Sequence, residues 1–112
     1  MAGTHNIVAE QGATFHFNFT VKTDGTVWNL SSYSARMQVR NSTASTTKLL
    51  DLSSPTDITL TSLGHVSVTV NATTMAALPF GRWVYDLELE SAGGEVTRLL
   101  EGRFIVTPEV TI

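Results

Sequence analysis

The chain has 112 residues, no cysteine, a formal charge of −3 and 15% charged residues. For that length one domain with a substantial core is expected and no second, catalytic domain, while the lack of cysteine excludes disulfides and thiolate metal sites as sources of stability. A weakly acidic balance without a basic block argues against nucleic acid and against membrane surfaces as partners.

The opening Met-Ala-Gly-Thr-His-Asn has no basic segment followed by an apolar core, and no run approaches the length of a membrane span, so synthesis in a cytoplasm is expected. Ile7-Val8-Ala9 is a short β-prone segment. From Thr14 to Lys22, Phe15, Phe17, Phe19 and Val21 share one parity and His16, Asn18, Thr20 and Lys22 the other, which predicts a core strand. Asp24-Gly25 is a turn, and Val27 to Leu30 a short extended piece. Tyr33 to Arg40 alternates Tyr33, Ala35, Met37 and Val39 with Ser34, Arg36, Gln38 and Arg40, giving one dry face and one basic face. The Ser/Thr-rich run 41–47 predicts a surface loop, and Lys48 to Leu52 a strand at a sheet edge. Ile58-Thr59-Leu60 and His65 to Asn71 predict a hairpin about Ser62-Leu63-Gly64.

The period changes at about residues 73–78, where two threonines precede Met-Ala-Ala-Leu and a proline follows, so one helical turn with a threonine cap is expected. The stretch from Trp83 to Val106 predicts a second hairpin turning at Gly93-Gly94, with Trp83, Tyr85, Leu87 and Leu89 facing in and Asp86, Glu88 and Glu90 facing out. Seven to eight short antiparallel strands with one helical turn predict an all-β, immunoglobulin-like two-sheet sandwich spanning 1–112, its termini at about 1–6 and 108–112 flexible or free to interact; a small barrel is the alternative. In that sandwich the Tyr33 strand neighbours the Trp83 strand, and Arg36 and Arg40 face the three carboxylates. Burial of Trp83, Leu87 and Phe17 is expected to outweigh those exposed pairs.

The residues predict no catalysis, no metal site and no cofactor. His5, His16 and His65 lack ligand-type partners at i+2 or i+4. Asp86, Glu88 and Glu90 stand about 7 Å apart in steps along a strand, a spacing glycosidase carboxylates also use, yet alternating acids on a solvated face beside arginines read as structural. No Gly-x-Ser-x-Gly elbow or phosphate loop occurs. The sequons at Asn18, Asn29, Asn41 and Asn71 read as chance matches. Candidate interface residues are Ile7, Val8, Trp28, Pro108, Glu109, Val110, Thr111 and Ile112. The tail beyond Pro108 is β-prone and suited to extend a neighbour's sheet, and Trp28 either anchors a partner or caps the core. Phe80, beside Pro79, is expected in the core.

Gly12-Ala-Thr-Phe-His-Phe, Asp24-Gly25 with Trp28-Asn-Leu-Ser, Ala35-Arg-Met-Gln-Val-Arg, Gly64-His-Val-Ser-Val, Thr73 to Gly81, Tyr85-Asp-Leu-Glu-Leu and Gly102-Arg-Phe-Ile-Val-Thr-Pro follow one another over most of the chain. This order resembles the immunoglobulin-like N-terminal domain of phage baseplate upper proteins and related small tail proteins. The resemblance implies a bacteriophage virion structural protein of tail or baseplate that docks a fibre or receptor-binding component by protein-protein interaction, without enzymatic activity or cofactor. Its expected partners are other virion proteins, tail, baseplate, fibre or capsid subunits, with homo-oligomer formation in the virion after synthesis in the bacterial host cytoplasm. The sequence lacks the coiled-coil linker and receptor-binding portion of baseplate upper proteins, so a capsid decoration protein is an alternative role; a carbohydrate-binding adhesion domain is another.

Overall fold

Apolar residues at every second position form strands with one dry side, and two such dry sides must cover each other. In the computed structural model, which describes residues 3–42, 44 and 47–110, the strands are β1 (Gly3–Thr4), β2 (Ile7–Glu10), β3 (Phe15–Thr20), β4 (Lys22–Thr23), β5 (Thr26–Val27), β6 (Ser34–Arg40), β7 (Lys48–Ser53), β8 (Ile58–Leu60), β9 (His65–Val70), β10 (Gly81–Glu90) and β11 (Val96–Thr107). One helix, α1 (Ala72–Ala76), crosses between sheets. Among the described residues β1, β4 and β5 have two residues each, which leaves eight longer strands.

The larger sheet runs β11-β10-β6-β7, with β1 and β2 both laid along the outer side of β11; the smaller runs β3-β9-β8. With β2, β3, β6, β7, β8, β9, β10 and β11 taken as successive strands, this is the order of an immunoglobulin-like sandwich. Two pairings depart from the expected all-antiparallel arrangement: β1 and β2 run parallel to β11, Gly3 opposite Leu100 and Ile7 opposite Phe104. Residues 3–6 are therefore held, not loose. His5 N donates to Glu101 O, and Asn6 Oδ1 accepts from Arg103 N at 3.0 Å.

Because the first strand joins β11, β3 is left as an edge of the smaller sheet. This corrects the expectation for its phenylalanines. Phe15 is buried against Phe104, but Phe17 and Phe19 are half-buried, with the His5 ring stacked on Phe17 at 5.6 Å. Trp83 is likewise only partly buried. It stands near the start of β10, and its Nε1 donates to Pro79 O, which turns the ring back over the approach to the strand. The side chains that hold the sheets together are Met37, Val39, Ile58, Val66, Val68, Leu87, Leu89 and Phe104, all without exposed area. Leu30, in a segment with no alternation of its own, joins them at 1% exposure.

The helical turn begins one residue before the expected span and ends two before it, and its cap is Asn71 rather than a threonine: Asn71 Oδ1 accepts from Thr74 N at 2.8 Å. Asparagine's carbonyl reaches the third amide of the turn without committing the strand before it, and Met75 drops into the core. The β10-β11 hairpin closes through Ser91 and Glu95, with Gly94 at φ 88°. A bulge on β11 between the partners of Leu87 and Glu88 sets Leu87 opposite Leu100 and Glu88 opposite Arg98, which brings Arg98 rather than Leu99 beside the acids.

Candidate functional site

With Tyr85, Leu87 and Leu89 turned inward, Arg82, Val84, Asp86, Glu88 and Glu90 stand on the outer face of the larger sheet. Register supplies their neighbours. Glu88 lies between Arg36 and Arg98, Asp86 between Gln38 and Glu101, Val84 between Arg40 and Arg103, and Arg82 opposite Ile105, which in turn faces Val8. The expected arginine-carboxylate pairing is present at one end. Arg36 Nε reaches Glu88 at 2.9 Å and its Nη1 reaches Glu90 at 3.3 Å, while Arg98 lies 3.6 Å from Asp86 and 3.9 Å from Glu88. Arg40 sits one step further along, opposite Val84, and donates to Gln38 Oε1 at 2.6 Å.

A shallow concavity of about 510 Å³ lies over this ladder, lined chiefly by Arg36, Gln38, Arg40, Asp86, Glu88 and Glu101. Burial, with the nearby Glu88 and Glu101 charges added, pushes the Asp86 carboxyl above its usual range; Arg98 and Arg40 pull the other way. A raised folded-state value means that the folded protein is favoured below the unfolded carboxyl range and loses that advantage as pH rises. Asp86→Asn is therefore expected to leave the melting temperature unchanged or raise it at pH 7, with the gain vanishing near pH 3. A lower melting temperature at pH 7 would contradict this account.

Tyr85 lies under the same face, its ring in the core and its hydroxyl donating to His5 O at 2.6 Å. Burial pushes its phenol up to about 12. Since the unfolded phenol ionises near pH 10, stability is complete below that and falls as pH climbs towards 12. Urea midpoints at pH 8 and 11 should differ, and Tyr85→Phe should shrink the difference at a cost of about 1 kcal/mol for the lost hydrogen bond.

The candidate interface residues do not form one patch. Ile7 is buried at 4% and belongs to the core, a correction to its assignment, because in β2 it shares inward parity with Ala9. Val8, between them, is 62% exposed. Trp28 packs partly against the core, its ring tilted on Tyr33 at 6.2 Å and its Nε1 donating to Thr23 Oγ1 at 2.8 Å. Pro108, Glu109 and Val110 are exposed, and Glu109 N donates to Gln11 Oε1 at 3.1 Å, which ties the start of the tail back to the sandwich. Thr111 and Ile112 lie outside the described residues. Phe80 is 62% exposed and so is not the core residue its neighbouring proline suggested. Leu63, at 61%, also escaped the sequence reading: it sits in a two-sided turn where no alternation exists to reveal which way it points.

These apolar residues fall at opposite ends of the sandwich. Phe15 pairs with Val70 at the end where β10 begins, near Phe80, Val8 and Val110; Thr20 pairs with His65 at the other, near Leu63 and the β4-β5 turn carrying Val27. Among the described residues no group of three or more potential ligands could hold a metal ion, and no helix is long and apolar enough to cross a membrane. No protein-family model matches the chain, and no curated protein matches it.

Proposed function

We propose that the protein is a non-enzymatic structural module of a phage virion, a tail, baseplate or fibre adaptor that works by docking between neighbouring proteins. The supporting observation is the pair of apolar ends. Phe80, Val8 and Val110 lie towards one end, and Leu63, Val27 and Val96 towards the other, each an exposed apolar side chain. An exposed aromatic such as Phe80 is a residue type that protein contact sites favour. A rigid sandwich with exposed apolar side chains at each end suits a part held between two neighbours. The resemblance to the baseplate upper protein domain supports the same reading, and docking by surface complementarity needs no cofactor.

Purified virions carrying the gene, analysed by mass spectrometry before and after separation of tails from capsids, test this directly. The polypeptide is expected in the tail fraction at a fixed ratio to its neighbours. Recovery on capsids would move the protein to the decoration role, and its absence from virions altogether would remove the proposal.

A further inference from the structure

The outer face of the larger sheet is segregated by charge along its strands. One end carries Arg40, Arg82 and Arg103 around Val84 and Ile105, with Lys48 opposite Arg40; the other carries Asp86, Glu88, Glu90 and Glu101. Arg36 and Arg98 also stand at the acidic end, and internal pairing takes up part of this charge, with Lys48 3.4 Å from Asp51. Arg36 and Arg98 engage Asp86, Glu88 and Glu90, but Arg82, Arg103 and Glu101 make no ion pair among the described residues. Glu101 instead stands directly opposite Asp86, acid beside acid, while Arg103 stands one step on, opposite Val84.

We propose that this face binds the same face of a second copy of the chain, the two related by a twofold axis that lies in the interface at right angles to the strands, between the Val84 row and the Asp86 row. Rotation about that axis reverses the direction of the strands and preserves their lateral order, so the basic end of each copy covers the acidic end of the other. Arg103 of each copy meets Glu101 of the other, and Arg82 meets Glu88 beside Glu90. The opposite stacking, ends aligned, would place carboxylates on carboxylates and arginines on arginines, so the charge pattern selects one orientation as well as one partner. Under the same rotation Val84 meets Asp86 of the other copy and Ile105 meets Arg98, so charge complementarity rather than apolar contact carries this interface.

The footprint is modest. Five strands about 4.8 Å apart and about seven residues deep cover roughly 500 Å² per copy, at the low end for specific interfaces, which points to a reversible dimer of micromolar dissociation constant. This inference does not depend on the virion role: it concerns the isolated protein, and its test needs no phage.

Sedimentation of the full chain at low salt across micromolar to submillimolar concentrations is expected to show a monomer-dimer equilibrium that weakens as salt rises, because exposed charges are screened over about 10 Å at 0.1 M. Arg103→Glu and Glu101→Arg should each weaken the dimer about tenfold or more, since each reversal sets two like-charge contacts across the axis. An equimolar mixture of the two variants should recover a dimer, because every contact across the axis is then opposite in sign. Both sites are exposed, so circular dichroism and melting should match the wild type. A wild type that stays monomeric throughout, a dimer indifferent to both reversals, or a mixture that fails to dimerise while both variants remain folded would each overturn the proposal.

Discussion

Phe104→Ala should cost about 3–5 kcal/mol, a large fraction of the stability of a domain of this size. Phe104 has no exposed area, and its ring meets Phe15 of the smaller sheet edge-on at 5.5 Å and Tyr85 of the neighbouring strand at 6.4 Å. It is thus the aromatic that joins the two sheets and also backs β2, since Ile7 is its register partner. Truncation leaves a void bounded by strands hydrogen-bonded to their neighbours, which limits how far the site can collapse. Trp83→Ala, by contrast, should be tolerated better, because that ring already meets water and rests on Gly81 and the Pro79 carbonyl. Glu88→Gln should cost no more than about 1 kcal/mol, as expected for a surface ion pair. Chemical denaturation of the three variants checks the order. Equal losses at Phe104 and Glu88 would mean that packing is not what holds the sheets.

Gly102→Ala should destabilise by about 1–3 kcal/mol, and should do so by lifting the first segment of the chain off β11. A Cβ built at Gly102 would overlap the His5 carbonyl oxygen and press on its carbon, both backbone atoms that cannot rotate away. That carbonyl is the acceptor for Tyr85, and the amide of His5 is bound to Glu101 O, so a shift there breaks two hydrogen bonds at once. The glycine is needed here for close approach of two backbones rather than for an unusual dihedral angle. Amide exchange would show protection lost first in residues 3–9, with the β6-β10 ladder retained. Uniform loss of protection across both sheets would instead mean that the first segment is part of the main cooperative unit.

Much of the sandwich was legible in the residues. The alternation in Tyr33–Arg40 and Trp83–Glu90 implied one dry face each, and Arg36 opposite Glu88 is what two such strands produce when they lie side by side. The less readable parts share a cause. Leu30 is buried and Leu63 exposed, yet both lie in short segments without a period, where direction depends on what the rest of the fold brings near. Phe17 and Phe19 obeyed the period, but how much cover they received depended on which strand came to lie beside β3. The charge segregation behind the proposed dimer could not be read from a linear order either. Arg103 and Glu101 are two residues apart, and it is the register against Val84 and Asp86 that assigns them to different ends of a face.

By itself, then, the amino-acid order determined which side of each long strand is dry, where the chain turns, and that no thiol chemistry stabilises the fold, because burial parity and turn preference are properties of neighbours in sequence. Only the tertiary structure decided that β1 and β2 join β11 in parallel, that β3 is left at an edge, and that Ile7 is core while Val8 and Phe80 are surface. Those outcomes rest on pairings between residues up to about a hundred positions apart, such as Arg103 with Asn6. Such pairings are settled by competition among whole strands for the same hydrogen-bonding edge, which no local pattern records.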